Sequence, residues 1–332
     1  MSFEFAVIGA GAWGTAIANV LSRLDKGRVI IWAKEKEVVD QINQENKNDM
    51  FLKGVSLEKN IYATENLFDA LGSYIFYVTP AQSFRNIICQ QKNYINKNNQ
   101  IIICAKGIEI SSGYLLSEIL NNELPYIHYS ILSGPSFAHE VGNNKPAALV
   151  LASNRIKNAI KLSNIISSKN FRLYPSDDVV GVQLGGAIKN VYAISSGIVK
   201  GLSYGENAGA ALLTRAISEM VRISISLGGK KESIFGLSGV GDILLTCTSE
   251  LSRNFSLGKA IGQGSELKNI ISNKNTIAEG YFTTKAIYNL VKSKNIDAPI
   301  LNSIYNILYN NANPNDEAES LLNRPLKNKE FY

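Results

Sequence analysis

The sequence predicts an α/β protein in which a doubly wound parallel sheet is followed by an all-α C-terminal domain. Three observations predict it. Short apolar runs rich in β-branched residues alternate with helix-period segments through the first half of the chain. The first strand-to-helix junction carries Gly9-x-Gly11-x-x-Gly14. From Asp178 onward strand signals fade and long helical patterns take over. The boundary therefore falls near residue 178, which gives an N-terminal, Rossmann-like dinucleotide-binding domain over 1–178 and an all-helical domain over 179–332, to which the resemblance set out below assigns substrate and catalysis. A chain of 332 residues suits about two domains, each able to bury a core.

Phe3 to Ile8 is apolar and β-branched or aromatic, which suits a strand buried on both faces of a parallel sheet. Trp13, Ile17, Val20, Leu21 and Leu24 then recur at helical spacing. Arg28 to Trp32, Tyr74 to Thr79, Gln100 to Lys106, Tyr129 to Ser133 and Ala147 to Ala152 read as further strands, with helices over Leu115 to Leu120 and Arg155 to Ser168. The helical half reads as Val179 to Val199, Ala208 to Leu227, Phe255 to Ile261, Thr283 to Lys292, Ile300 to Tyr309 and a short helix after Pro314. "NQENKND" and "INKNNQ" are rich in Asn and Lys and read as solvated loops.

At the first junction each glycine has a physical task. Gly9 permits the tight turn, Gly11 lets backbone approach a phosphate, and Gly14 lets the helix pack on the strand. The helix start adds free N–H groups and a partial positive charge. A structural turn with no ligand satisfies the same spacing in a chain with 26 glycines. NAD-preferring sites carry an acid at the end of the second strand, where "VIIWAKEK" has Ala33 and Lys34. Lys34 and Lys36 would attract a 2′-phosphate, and Glu35 stands close by. NADPH is therefore expected to be at least tolerated and preferred over NADH.

Composition narrows the class. Hydrophobic residues make up 45% and charged residues 19%, as in an ordinary globular protein. No run reaches membrane-spanning length and Met1 leads straight into a strand, so a cytoplasmic location is expected. Cys89, Cys104 and Cys247 are odd in number and lie in apolar runs, which fits buried reduced thiols; with only His128 and His139 to help, no metal site is expected. The net charge of +6 is scattered, without basic runs interleaved with aromatics, and suits small phosphorylated anions better than nucleic acid.

Six further stretches occur in order: "AKGIE" (105–109), "LSGPSFAHEV" (132–141), "GGAIKNVYAI" (185–194), "NAGAALLTRAISEM" (207–220), "GVGDILLTCTSELSRN" (239–254) and "IAEGYFTTKA" (277–286). With the glycine loop they closely resemble the NAD(P)-dependent glycerol-3-phosphate dehydrogenases of the bacterial type, through essentially the whole chain. The resemblance implies interconversion of dihydroxyacetone phosphate and sn-glycerol 3-phosphate for phospholipid synthesis, in a cleft between a Rossmann domain and a helical domain. It implies a homodimer that takes a small phosphorylated substrate and NADPH or NADH, with no nucleic acid and no membrane insertion.

The chemistry then selects residues. Hydride addition to a ketone puts negative charge on its oxygen, so a cation or proton donor is needed there. Lys189 suits this, since Gly185 and Ala193 clear space on its helix face. Lys106, at the end of a strand, is the second cation. The resemblance makes Lys189 the general acid/base, with Lys106 and Asp242 beside it. It places Lys106, Gly134, Ser136, Asn190, Asp242, Thr246, Ser252, Arg253 and Asn254 on the substrate. It places Gly9, Gly11, Trp13, Gly14, Lys106, Ala138, Ile277 and Glu279 on the cofactor; the residues themselves add Ala12 in the loop, Lys34 after the second strand, Arg253 as a second contact for a 2′-phosphate, and Pro80 at the sheet edge. Ala12 stands where close relatives often have serine. Two alternatives stay open at the helix starts: Asp242 as a cap of the helix after "GVGD", and Ser252 or Asn254 as caps rather than phosphate ligands. A dehydrogenase for hydroxy acids or nucleotide sugars would keep the glycine loop and a lysine without needing Ser252-Arg253-Asn254. A dinucleotide-sensing regulator would dispense with Lys189 and Asp242.

Overall fold

The computed structural model describes residues 3–25, 27–272 and 278–325. The chain forms two compact units, one of 1–106 with 114–179, the other of 107–113 with 180–332. The short stretch Gly107–Gly113 thus belongs with the second unit, where Gly113 stands against the Leu290 side chain.

The first unit is an eight-stranded sheet in the order β3-β2-β1-β4-β5-β6-β7-β8. The strands are β1 (Phe5–Ile8), β2 (Val29–Trp32), β3 (Ile61–Thr64), β4 (Tyr74–Tyr77), β5 (Gln100–Ile103), β6 (His128–Ser133), β7 (Ala147–Ala152) and β8 (Phe171–Ser176). Helices α1 (Ala12–Ser22), α2 (Lys36–Glu45), α3 (Phe84–Gln91), α4 (Leu116–Glu123), α5 (Ala138–Gly142) and α6 (Ile156–Ile166) connect them. Val7, Ile31, Phe76 and Ile102 are fully buried, as a sheet covered on both faces requires of its central strands. Strand order reverses between β1 and β4, which opens a crevice at their carboxyl ends.

The α/β reading holds, with three corrections. First, β7 runs antiparallel to β6, so the sheet is mostly rather than wholly parallel. The link between them carries only the five-residue α5, and the chain re-enters the sheet from the end it left. Second, β3 and β8 carry no clear sequence signal because they are the two edges. β3 has polar and half-exposed positions, and β8 contains Pro175, which an edge tolerates. Third, "NQENKND" is not a solvated loop throughout. It begins as the last turn of α2, reverses at Asn46 (φ 54°) and then buries Asn48 completely.

The second unit is built round α7 (Val179–Gly201), which is buried without a break from 181 to 198. A helix that is buried on every side belongs in a core. Around it lie α8 (Glu206–Ser226), α9 (Lys231–Phe235), a π-helical turn at Leu237–Gly241, α10 (Asp242–Cys247), α11 (Arg253–Gly262), α12 (Leu267–Ser272), α13 (Glu279–Ser293), α14 (Pro299–Tyr309) and α15 (Pro314–Leu322). Glu219 of α8 caps α14, accepting from Ile300 N at 3.0 Å and Leu301 N at 2.9 Å, and also from Tyr192 Oη of α7 at 3.1 Å. Among the described residues no helix is long and apolar enough to cross a membrane.

Helices α7 and α11 cross closely. A Cβ at Gly197 would collide with the Phe255 carbonyl oxygen, and one at Gly258 with that of Ile194. The partners are backbone atoms, so no side-chain rotation relieves the clash. Gly197→Ala should therefore lower stability by about 1–3 kcal/mol, the usual cost of overpacking. Gly209→Ala, on α8 where a Cβ meets nothing within 4 Å, should raise it by about 0.5–1 kcal/mol. Urea unfolding of both variants checks this, and equal effects of the same sign would refute the assignment of a close crossing.

Candidate active site

In the first unit the chain leaves β1 through Gly9, whose φ of +116° and contact with Thr79 leave no place for a side chain. Gly14 packs its Cα against the turn itself, since a Cβ there would strike the Gly9 carbonyl. Gly11 differs: a Cβ on it would meet no protein atom within 4 Å. It is the N-cap of α1 and supplies no side-chain cap, so the first amides of the helix are left for another partner. Two buried polar atoms nearby in the fold also have no partner, Trp13 Nε1 in the first turn of α1 and Thr79 Oγ1 beside Gly9. An uncapped helix start, an open glycine and two orphaned donors fit the pyrophosphate of a dinucleotide. Ala12 brings no hydroxyl, and Lys34 stands exposed just beyond β2.

A second group forms at the ends of β5 and β6. Lys106 Nζ and Ser136 Oγ both donate to the Gly134 carbonyl, each at 3.0 Å. Gly134 has φ +147°, and a Cβ on it would lie 2.9 Å from Leu149 Cα. Ala138 opens α5 just beyond.

In the second unit Lys189 is buried at 8% exposure in the middle of α7. Its Nζ donates to Asp242 Oδ1 at 2.7 Å and to Thr246 Oγ1 at 2.7 Å, and Thr246 donates to Asp242 Oδ1 at 3.3 Å. Asp242 and Thr246 are one turn apart on α10 and so share a face. The π-helical turn delivers α10 to this place. It lies against Gly185, one turn before Lys189, where a Cβ would be 2.6 Å from the Ser238 carbonyl. The capping alternative for Asp242 fails, since Gly241 is the N-cap of α10 and the carboxylate is turned to Lys189.

At the start of α11 the structure divides the expected phosphate cluster. Ser252 is the N-cap, its Oγ accepting from Phe255 N at 3.2 Å. Asn254 is a buried latch: its Nδ2 donates to Asn190 Oδ1 at 2.9 Å, and its Oδ1 accepts from Gly280 N at 2.9 Å. Ser252 and Asn254 thus have structural partners, and Arg253 is the exposed one of the three. Arg253 acts electrostatically on Glu279 at the start of α13. Burial pushes the Glu279 carboxyl up to about 7, against the pull of the Arg253 charge. Glu279 Oε2 and Thr283 Oγ1, one turn apart, are both buried without a hydrogen-bond partner. Thr283 and Thr79 were missed in the sequence; the i,i+4 spacing from Glu279 was the available signal for the first. Ile277 lies outside the described residues. Cys104 and Cys247 are buried and Cys89 half-buried, all free. Burial pushes the Cys247 thiol, close to Lys189, up to about 12, which leaves it inert. Among the described residues no cluster of metal-ligating side chains occurs.

Residues 4–159 match the model of the NAD-dependent glycerol-3-phosphate dehydrogenase N-terminus, and residues 178–319 that of the C-terminus. The chain belongs to this family. A relative in Novosphingobium aromaticivorans, named glycerol-3-phosphate dehydrogenase (NAD(P)+), is 41% identical over 328 residues, 98% of each chain. One of the same name in Rhodospirillum rubrum is 43% identical over 326 residues, 98% of this chain and 93% of the relative. The solved glycerol-3-phosphate dehydrogenase of Coxiella burnetii superposes with a TM-score of 0.92 at 35% identity, over 97% of this chain and 99% of that one. That of Saccharomyces cerevisiae gives 0.83 at 27% identity, over 96% and 99%. D-mandelate dehydrogenase, at 15% identity and a TM-score of 0.63, shares the fold alone.

The Glu279 carboxyl has a pH consequence. Its folded value of about 7 exceeds the ordinary 4.5, so across that window the folded state holds a proton that the unfolded chain has lost, and stability falls as pH rises. In the ligand-free chain, the stability of the parent relative to Glu279→Gln should decline from about pH 5 to about pH 7 and level off above about pH 8. Thermal melts of both proteins over that range measure it, and parallel profiles would show that Glu279 does not titrate there.

Proposed function

We propose that this family member interconverts dihydroxyacetone phosphate and sn-glycerol 3-phosphate with NAD(P)H, as a cytoplasmic homodimer supplying glycerol 3-phosphate for phospholipid synthesis. The observation that carries the reading is the buried Lys189–Asp242–Thr246 constellation. The cofactor, when bound, supplies hydride to the ketone carbon. Lys189 holds a proton on Nζ for the oxygen of that carbon, and its charge stabilises the developing alkoxide. Asp242 and Thr246 fix the Nζ position, and the Asp242 charge compensates the burial of an ammonium. In the reverse direction the same nitrogen receives the hydroxyl proton.

Arg253 at the start of α11 supports a phosphorylated substrate over a simple hydroxy acid. Its guanidinium fork and the first amides of the helix suit a dianion. Lys106 and Ser136, joined through the Gly134 carbonyl, are assigned to the substrate, and the open Gly11, Trp13, Ala12 and Ala138 to the cofactor. Lys34, with no carboxylate at the end of β2, supports a preference for NADPH. Three free cysteines support a reducing compartment.

The purified chain should consume the absorbance of reduced nicotinamide when given dihydroxyacetone phosphate, and faster with NADPH than with NADH at low cofactor. No consumption with either cofactor would sink the reading. Lys189→Met should lower kcat at least about a hundredfold while NADPH still binds by fluorescence titration; a kcat near the parental one would move the proton donor elsewhere. Arg253→Ala should raise KM for dihydroxyacetone phosphate at least about tenfold, the scale of a lost charge-assisted hydrogen bond. If only KM for NADPH moved, Arg253 would be reassigned to the cofactor.

A further inference from the structure

Asn48 lies in the connection between α2 and β3 and is fully buried. Its Nδ2 donates to the Ala10 carbonyl at 2.9 Å and to Thr15 Oγ1 at 2.8 Å, and Thr15 Oγ1 donates to the same carbonyl at 3.1 Å. Asn48 is itself held firmly, its Oδ1 accepting from Phe51 N at 3.3 Å and its main-chain oxygen from Leu52 N at 2.8 Å. One turn along α1, Asn19 ties down the rest of the connection. Its Nδ2 donates to Ser56 O at 3.1 Å and to Gly142 O at 3.0 Å, and its Oδ1 accepts from Glu58 N at 3.0 Å. Thr15 and Asn19 thus line the buried face of α1 with polar groups that tie this connection to the glycine loop and to the end of α5.

The clamped carbonyl belongs to the residue between Gly9 and Gly11. No cis peptide bond occurs among the described residues, and in a trans peptide the C=O and the next N–H point in opposite directions. Holding the Ala10 oxygen against Asn48 and Thr15 therefore turns the Gly11 N–H the other way. With Gly11 on one side, the Ala10–Gly11 peptide has a weaker intrinsic preference for one orientation than a peptide between two side-chain-bearing residues, so a side-chain clamp helps to select one. An amide suits the position because it offers donors to Ala10 and Thr15 and an acceptor to Phe51 at once; a carboxylate would set negative charge against a carbonyl.

We propose that Asn48, assisted by Thr15, is a positioning residue of the dinucleotide loop, setting the Ala10–Gly11 peptide and with it the affinity for the pyrophosphate shared by NADPH and NADH. This rests on the cofactor binding proposed above. The test is fluorescence titration of both cofactors against the parent, Asn48→Ala, Thr15→Val and Thr15→Ser, with a thermal melt of each ligand-free protein. Asn48→Ala should raise Kd for NADPH and NADH alike by about tenfold, the scale of a buried carbonyl losing a partner. Thr15→Val should act in the same direction and less strongly, and Thr15→Ser, which keeps the hydroxyl, should restore the parental Kd. KM for dihydroxyacetone phosphate at saturating NADPH should not follow these changes. Thr15→Val preserves shape and leaves Asn48 in place, so it carries the test if Asn48→Ala does not fold. Folded variants whose Kd values stay within about twofold of the parent would overturn the proposal, as would a loss confined to NADPH, which belongs to the 2′-phosphate. A parent that binds neither cofactor would overturn the functional reading and this proposal together, a result separate from a binding parent with unaffected variants.

Discussion

A charged side chain in the middle of a fully buried helix is the constraint around which the second unit is organised. Lys189 lies in a run of buried residues from 181 to 198, and an ammonium taken out of water without a partner costs several kcal/mol. Asp242 has to be within hydrogen-bond reach for α7 to be buried at all. That requirement propagates outward. α10 must start beside the centre of α7, so the chain before it is wound as a π-helical turn and pressed onto Gly185, where no side chain intervenes. The same crossing logic operates one to three turns later, where Gly197 and Gly258 let α11 approach, and the Asn190–Asn254 hydrogen bond fixes how far along α7 it sits. The buried charge and the glycines needed for packing are two sides of one arrangement.

The first unit solves a different problem, that of presenting backbone amides. Its strands are short and almost wholly apolar, so they fix the carboxyl ends of β1 and β4 as a rigid rim. What stands on that rim is main chain, and main chain has no rotamers by which to aim itself. The turn is aimed instead by its surroundings: Gly14 against the Gly9 carbonyl, Gly9 against Thr79, and the Ala10 carbonyl against Asn48 and Thr15. Rigidity is borrowed from the sheet and the α2–β3 connection, while the edge at Gly11 stays open.

Much of this was legible in the sequence, and the division between legible and hidden follows from range. The alternation of strand and helix, the glycine loop and the long α7 are local patterns, so periodicity finds them. Lys189 was selected by its small neighbours on one helix face, which is also local. The roles of Ser252 and Asn254 were not separable, because each residue type both caps helices and binds phosphate, and only the fold reveals their contacts with Phe255, Asn190 and Gly280. Asn48 was hidden for a deeper reason. In composition it is one asparagine in a polar run, and its burial depends on Ala10 and Thr15, 38 and 33 positions away. Edge strands β3 and β8 escaped because half-exposed strands lose the apolar pattern that marks a strand.

The polar atoms left unpaired show where the fold gives up stability. Among the described residues seven buried side-chain polar atoms have no partner: Trp13 Nε1, Thr79 Oγ1, Ser133 Oγ, Ser163 Oγ, Ser224 Oγ, Glu279 Oε2 and Thr283 Oγ1. Two of these are helix serines, Ser163 of α6 and Ser224 of α8. The other five adjoin the glycine loop, Gly134 or Arg253's neighbour Glu279. Each such group costs about 1–3 kcal/mol when buried and unmade, so random placement in a marginally stable chain would be selected against. Their concentration beside the residues proposed above for cofactor and substrate is what surfaces shaped for a polar ligand would show. The raised Glu279 carboxyl is the electrostatic form of the same cost, since desolvation has been imposed on a charge that Arg253 only partly offsets. Binding of a polar ligand at these positions would return hydrogen bonds that folding alone left unmade, which is how a site can be both a local weakness of the free protein and a source of affinity.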